Sequence, residues 1–136
     1  MKRVTGLGGV FFKSATPEKL LAWYKDHLGI EPDGYGSSVF TWLEKDRPER
    51  VGMTVLSPHK QDTSYFAPSD APYMFNFRVA DLHALLKQLR SEGVQVIDKV
   101  EELPYGKFGW IIDPEGRKIE LWEPPDVDDP FAEPAK

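Results

Sequence analysis

Two stretches of this chain, about 65 positions apart, share one layout: a short apolar run, a helix-start signal, a helical pattern, then glycine. The first reads Val10-Phe11-Phe12, then Thr16-Pro17-Glu18, then Leu20, Leu21, Tyr24 and Leu28 at helical spacing, closing on Gly29. The second reads Phe75 to Val79, then Asp81, then Leu82, Leu85, Leu86 and Leu89, closing on Gly93. Thr16 and Asp81 are N-cap residue types, Pro17 suits a first helical position, and each glycine stands where a left-handed C-terminal cap needs one. The spacing predicts helices over 17–28 and 82–92, each with one apolar stripe.

After each helix the pattern shortens to period two and brief apolar runs, at 38–43 and 51–56 in the first half and at 108–112 and 118–122 in the second. Asp113-Pro114-Glu115-Gly116 reads as a tight hairpin turn between the last two. Each half is expected to be β-α-β-β-β: module one over about 4–57, module two over about 73–124. A linker rich in Ser, Pro and Asp, about 57–72, joins them. Neither half buries much core alone, so the pair is expected to pack as one domain over 1–124. The tail, 125–136, is acidic and proline-rich and is expected to be flexible.

The absence of cysteine excludes disulfide scaffolds, thiolate metal sites and cysteine nucleophiles, and makes a reducing cytoplasm the default location. A net charge of −5, with no stripe of Lys and Arg, argues against a nucleic-acid surface. No run reaches the ~18 apolar residues of a membrane span. Met1-Lys2-Arg3 before an apolar run imitates a secretion signal, but three glycines interrupt that run and Lys13 ends it. The Gly6, Gly8 and Gly9 cluster precedes a strand pattern rather than following one, so it is no dinucleotide fingerprint.

The repeated layout, with Trp23-Tyr24-Lys25-Asp26-His27-Leu28-Gly29 in the first half and Asp113 to Trp122 in the second, resembles the vicinal oxygen chelate superfamily of glyoxalases, bleomycin-resistance proteins and dioxygenases. The resemblance implies an α+β fold in which two tandem βαβββ modules form one curled mixed sheet, with a central cleft and helices on the outer face. It also implies a homodimer, the commonest closed oligomer, and in the metal-dependent members a divalent cation in the cleft. The corresponding positions here are approximately Gly9, Thr54, Met74 and Glu120, of which only Glu120 is a competent ligand. One carboxylate does not hold a transition metal well, so the expectation is no cofactor. A divalent metal is the alternative if the first-half register is misplaced. His27 and His83 fall in the helices and His59 in the linker, where structural or solvated roles are expected.

Strand alternation then puts Lys118, Glu120 and Trp122, and likewise Met74, Asn76 and Arg78, on the concave face, with Ile119, Leu121, Phe75, Phe77 and Val79 toward the helices. Glu120, desolvated in an apolar cleft, suits acid–base work or a pairing with a cation such as Arg78. Asn76 and Arg78 offer an amide and a guanidinium to a ligand or to an internal network. Phe11, Trp42, Trp110 and Trp122, with Tyr65, Phe66 and Tyr105 from flanking loops, together suit a flat organic ligand, though each alone is more often core than pocket.

Two function classes follow. The first is a metal-free protein that binds a small organic molecule in an aromatic cleft. The alternative is a lyase, isomerase or dioxygenase-type enzyme, metal-dependent with misplaced ligands or metal-free with Glu120 as acid–base. A structural or regulatory interaction module stands behind both.

Overall fold

The computed structural model describes residues 1–126; residues 127–136 of the expected tail lie outside the described residues. The elements run β1 (Val4–Ser14), α1 (Pro17–Leu28), β2 (Ser38–Leu43), β3 (Val51–Lys60), β4 (Tyr73–Val79), α2 (Leu82–Ser91), β5 (Gln95–Leu103), β6 (Gly106–Ile112) and β7 (Lys118–Glu123). The seven strands form one mixed sheet in the order β2-β3-β1-β4-β7-β6-β5. Each module contributes a contiguous half, and the halves join where β1 pairs antiparallel with β4. No helix among the described residues is long and apolar enough to cross a membrane.

Local chemistry sets the element ends. Pro17 opens α1, and Gly29 closes it in the left-handed region at φ +68°, donating its N–H to the Lys25 carbonyl. Asp81 caps α2 by accepting the Ala84 N–H at 3.1 Å. In the β6–β7 turn, Asp113 Oδ1 accepts the Glu115 and Arg117 N–H groups, and Gly116 takes φ +83°. The apolar stripe of α2 packs Leu82, Leu85 and Leu86 against Val79 and Leu121, with Phe77, Ile111 and Ile119 beside them. This is the helix-facing parity that alternation demands of β4 and β7.

Module one departs from the expected layout, because only two strands follow its helix where module two has three. The interval between α1 and β2 contains Pro32, Asp33, Gly34 and Gly36. Asp33 Oδ1 accepts the N–H groups of Tyr35 and Ser37, and the Asp33 N–H donates to the Ser37 carbonyl. A side chain that bonds its own backbone in this way competes with a strand ladder and wins. The linker is also shorter than expected, since β3 runs on to Lys60, held parallel to β1 through Ser14.

Candidate functional site

The sheet curls around a cleft that both of its ends help to line. Ser37, next to β2, and Glu101 and Leu103, on β5, line the same cavity of about 360 Å³ although they belong to opposite ends of the strand order. Phe11 of β1, His59 of β3 and Phe108 and Trp122 of β6 and β7 supply aromatic walls, joined by Tyr65 and Tyr105 from loops. Such a lining suits a flat organic guest.

Glu120 lies at the floor, 2% exposed. β4 and β7 run parallel with Asn76 opposite Glu120, and Asn76 Nδ2 donates to Glu120 Oε1 at 2.6 Å. The Trp110 indole donates to Oε2 at 2.9 Å, and the Tyr65 hydroxyl donates to the same oxygen. Burial pushes the Glu120 carboxyl above its ordinary range; the three donors and the charge of Lys118 oppose that shift without cancelling it. Burial, and then the charge of Glu120, push the Tyr65 phenol upward as well. The His59 ring stacks on Tyr65 at 5.7 Å and 8°, and burial lowers its proton affinity, so the neutral imidazole is favoured.

A bulge in β1 shapes the opposite side of the floor. Leu7 faces Phe77 and Gly9 faces Asn76, which leaves Gly8 as the extra residue. Gly8 consequently lines the cavity, and a Cβ on it would stand 2.1 Å from Asn76 Oδ1, while one on Gly9 would meet the Phe11 ring at 2.7 Å. Asn76, itself 1% exposed, lines the cavity, and its Oδ1 has no hydrogen-bond partner.

Three expectations change on this geometry. His59 belongs to β3 and faces the cavity instead of sitting in a linker; the Ser-Pro-His sequence looks loop-like, but pairing with β1 keeps it extended. Arg78 does not present its guanidinium to the cavity. It is fully buried, with Cζ 5.4 Å from the Trp42 ring and 5.2 Å from the Trp122 ring, and it donates to Glu44 Oε1 at 3.1 Å. Its cation is thus spent on an internal stack, and Glu120 finds its partners among neutral donors. Trp42 belongs to that stack, lying over Gly6 and Gly52, where an added Cβ would meet its ring at 2.4 and 2.3 Å.

Of the remaining candidates, Phe11, Asn76, Glu120 and Trp122 line the cavity, while Met74 and Trp110 pack with Phe66 in a buried cluster behind it. Trp122 also donates to the Tyr105 carbonyl and stacks on Phe108. Sequence reasoning did not single out Gly8, Glu101 or Phe108. Gly8 is detectable only through its bulge, and β5 carries no clear alternation because the sheet's edge is largely exposed.

The donor set also bears on a metal. Met74 is not opposite Glu120, and the Thr54 hydroxyl is engaged with the Leu7 carbonyl at 2.6 Å and the Trp42 indole at 3.0 Å. Among the described residues no three His, Asp or Glu side chains converge as metal ligands. One carboxylate already holding three hydrogen bonds, beside an amide oxygen and two glycines, does not fit a transition-metal centre.

A family model described as Glyoxalase/Bleomycin resistance protein/Dioxygenase superfamily matches residues 14–121. Among solved structures, methylmalonyl-CoA epimerase from Mycobacterium tuberculosis is 25% identical, with a TM-score of 0.57 over 89% of each chain. A methylmalonyl-CoA epimerase in complex with methylmalonyl-CoA and NH4+ is 16% identical, with a TM-score of 0.63 over 93% of this chain and 99% of that one. The Mn(II)-bound glyoxalase from Novosphingobium aromaticivorans is 20% identical, with a TM-score of 0.54 over 90% of this chain and 40% of its own. No curated protein matches the chain.

Proposed function

This chain belongs to the glyoxalase, bleomycin-resistance protein and dioxygenase superfamily, and from that membership and its cleft we propose that it binds a small organic molecule between aromatic walls without a metal. The observation that carries the reading is the cavity itself: about 360 Å³, walled by Phe11, Tyr65, Tyr105, Phe108 and Trp122, with Glu120 and Asn76 as its polar floor. That size and mixture of aromatic surface with few convergent polar groups is typical of small-molecule sites. A homodimer is part of the proposal, because the outer strands expose Phe40, Leu43 and Leu103, and a monomeric mass by light scattering at tens of micromolar would remove it.

The test is a thermal-shift screen of small aromatic compounds on metal-free protein, followed by titration of any hit. A ligand that binds the native state raises the melting temperature, and the rise grows with the logarithm of its concentration above Kd. A metal-independent enzyme using Glu120 as acid–base is the second reading, favoured by the raised proton affinity of that carboxyl. Glu120→Gln separates the two. Binding without chemistry predicts modestly weaker affinity and nothing else lost; catalysis predicts retained binding with turnover abolished. Absence of stabilisation by any small aromatic compound would favour an interaction module over both.

A further inference from the structure

Glu120 is covered by two kinds of partner. Asn76 on β4 and Trp110 on β6 stand in register on either side of it, so the sheet itself fixes both of those donors. The third donor, the Tyr65 hydroxyl, reaches in from the connection between β3 and β4. Asn76 and Trp110 are buried, whereas Tyr65 is 38% exposed and lines the cavity.

The Tyr65 phenol sits as a bound guest would. Its ring stacks on His59, meets Trp110 edge-on at 6.5 Å and 89°, and lies 5.2 Å from Lys118 Nζ, while its hydroxyl engages the buried carboxyl. The backbone that carries it is anchored: Phe66, the next residue, is buried in the cluster with Met74 and Trp110, and Lys118 Nζ donates to the Tyr65 carbonyl at 2.8 Å. Tyr65 therefore leaves by side-chain rotation alone, whereas Asn76 or Trp110 leaves only if a strand moves.

Resting on the binding function proposed above, we propose that Tyr65 is a built-in occupant of the cleft floor, an autoinhibitory contact that a flat guest carrying an O–H or N–H donor displaces to reach Glu120. With Tyr65 swung out, the guest ring takes its place on His59, and Glu120 Oε2 keeps the Trp110 indole and gains the guest's donor. A hydrogen bond to a charged group favours the closed form by roughly ten- to a hundredfold. The open form is then a minor population, and a guest's affinity is lowered by that fraction.

Two observables test this on wild type, Tyr65→Phe and Tyr65→Ala. The first is carbodiimide coupling of carboxyls to glycine ethyl ester, with Glu120 read against Glu123 by mass spectrometry in the tryptic peptide that begins at Ile119. Glu120 should couple at least tenfold faster in Tyr65→Ala than in wild type. In Tyr65→Phe, whose ring covers the carboxyl without holding it, the gain should be about threefold. Glu120 rates that stay at the wild-type level in both variants, or rise only in step with Glu123, would overturn the contact. The second observable is calorimetric titration with p-cresol and toluene. p-Cresol should bind Tyr65→Ala at least tenfold more tightly than wild type, and toluene should gain less than threefold. Equal gains for the two probes would mean a vacated hole without the Glu120 hydrogen bond, and would overturn displacement. Coupling as expected with no p-cresol binding to any of the three proteins would remove the binding function and displacement together. p-Cresol binding with unchanged coupling would overturn the contact alone.

Discussion

Replacing Gly8 by alanine should be one of the most damaging single-methyl additions available to this protein. Its φ is not positive, so the backbone tolerates alanine and the whole cost comes from where the Cβ goes. That carbon would stand 2.1 Å from Asn76 Oδ1 and 3.1 Å from Arg78 Cγ, where ordinary contact begins at 3.4 Å. Asn76 cannot swing away freely, because it is fully buried and its Nδ2 holds Glu120 at 2.6 Å. Breaking that hydrogen bond to a carboxyl costs ~1.5–3 kcal/mol, and overpacking adds ~1–3 kcal/mol. Restricting the unfolded chain returns ~0.4–1 kcal/mol. The net loss should be about 2–4 kcal/mol, or roughly 6–12 °C in melting temperature for a domain of this size. Urea unfolding followed by fluorescence of the four tryptophans measures it. The double variant Gly8→Ala/Asn76→Ala should lose clearly less than the two single losses added, since the carbon then has room. A loss below about 0.5 kcal/mol, or strict additivity in the double variant, would refute the account of the bulge.

Further outcomes follow from the same geometry. Because the Glu120 carboxyl is raised in the folded state, its contribution to stability is fully present below the unfolded carboxyl pKa and is lost as pH rises through the folded value. Glu120→Gln should therefore gain stability relative to wild type between pH 5 and pH 8, measured as the difference in urea midpoints; a pH-independent difference would contradict it. Arg78→Ala removes a fully buried cation from two indoles and leaves Glu44 to the more distant Arg50 at 3.8 Å, so about 3 kcal/mol should be lost. Arg78→Lys should not restore it, because an ammonium cannot reproduce a planar group stacked between rings; full rescue in a melting experiment would count against that stack. Asp81→Ala should cost about 1 kcal/mol by removing the cap on Ala84 N–H, with ligand binding unchanged by calorimetry.

Both helices, the Asp81 cap, the glycine stops, the β6–β7 hairpin and the inward or outward facing of side chains on β4 and β7 were legible in the amino-acid sequence, whereas the Thr16 side chain makes no capping hydrogen bond. Each depends on neighbours a few residues away: a 3.6-residue stripe, an Asp or Pro start, a Gly stop, a period of two. The family was legible for the same reason, since the duplicated layout and the Asp113 to Trp122 segment carry it. Acidic Glu120 at the cleft floor could be placed because nothing interrupts alternation along β7.

What the sequence left undecided depends on pairing between distant segments. Gly8 reaches the cleft only because β1 slips by one residue against β4, and a slip of one inverts alternation beyond it. His59 lines a cavity because β1 extends β3 past Ser57, overriding a local composition that resembles a loop. Arg78 was placed on the correct face, yet the curl of the sheet delivers Trp42 and Trp122 to either side of it and turns a prospective ligand contact into buried structure. Local propensity determines which residues can face inward. Register and curvature, which are properties of the whole sheet, decide which of them meet and which one, Asn76 Oδ1, is left without a partner.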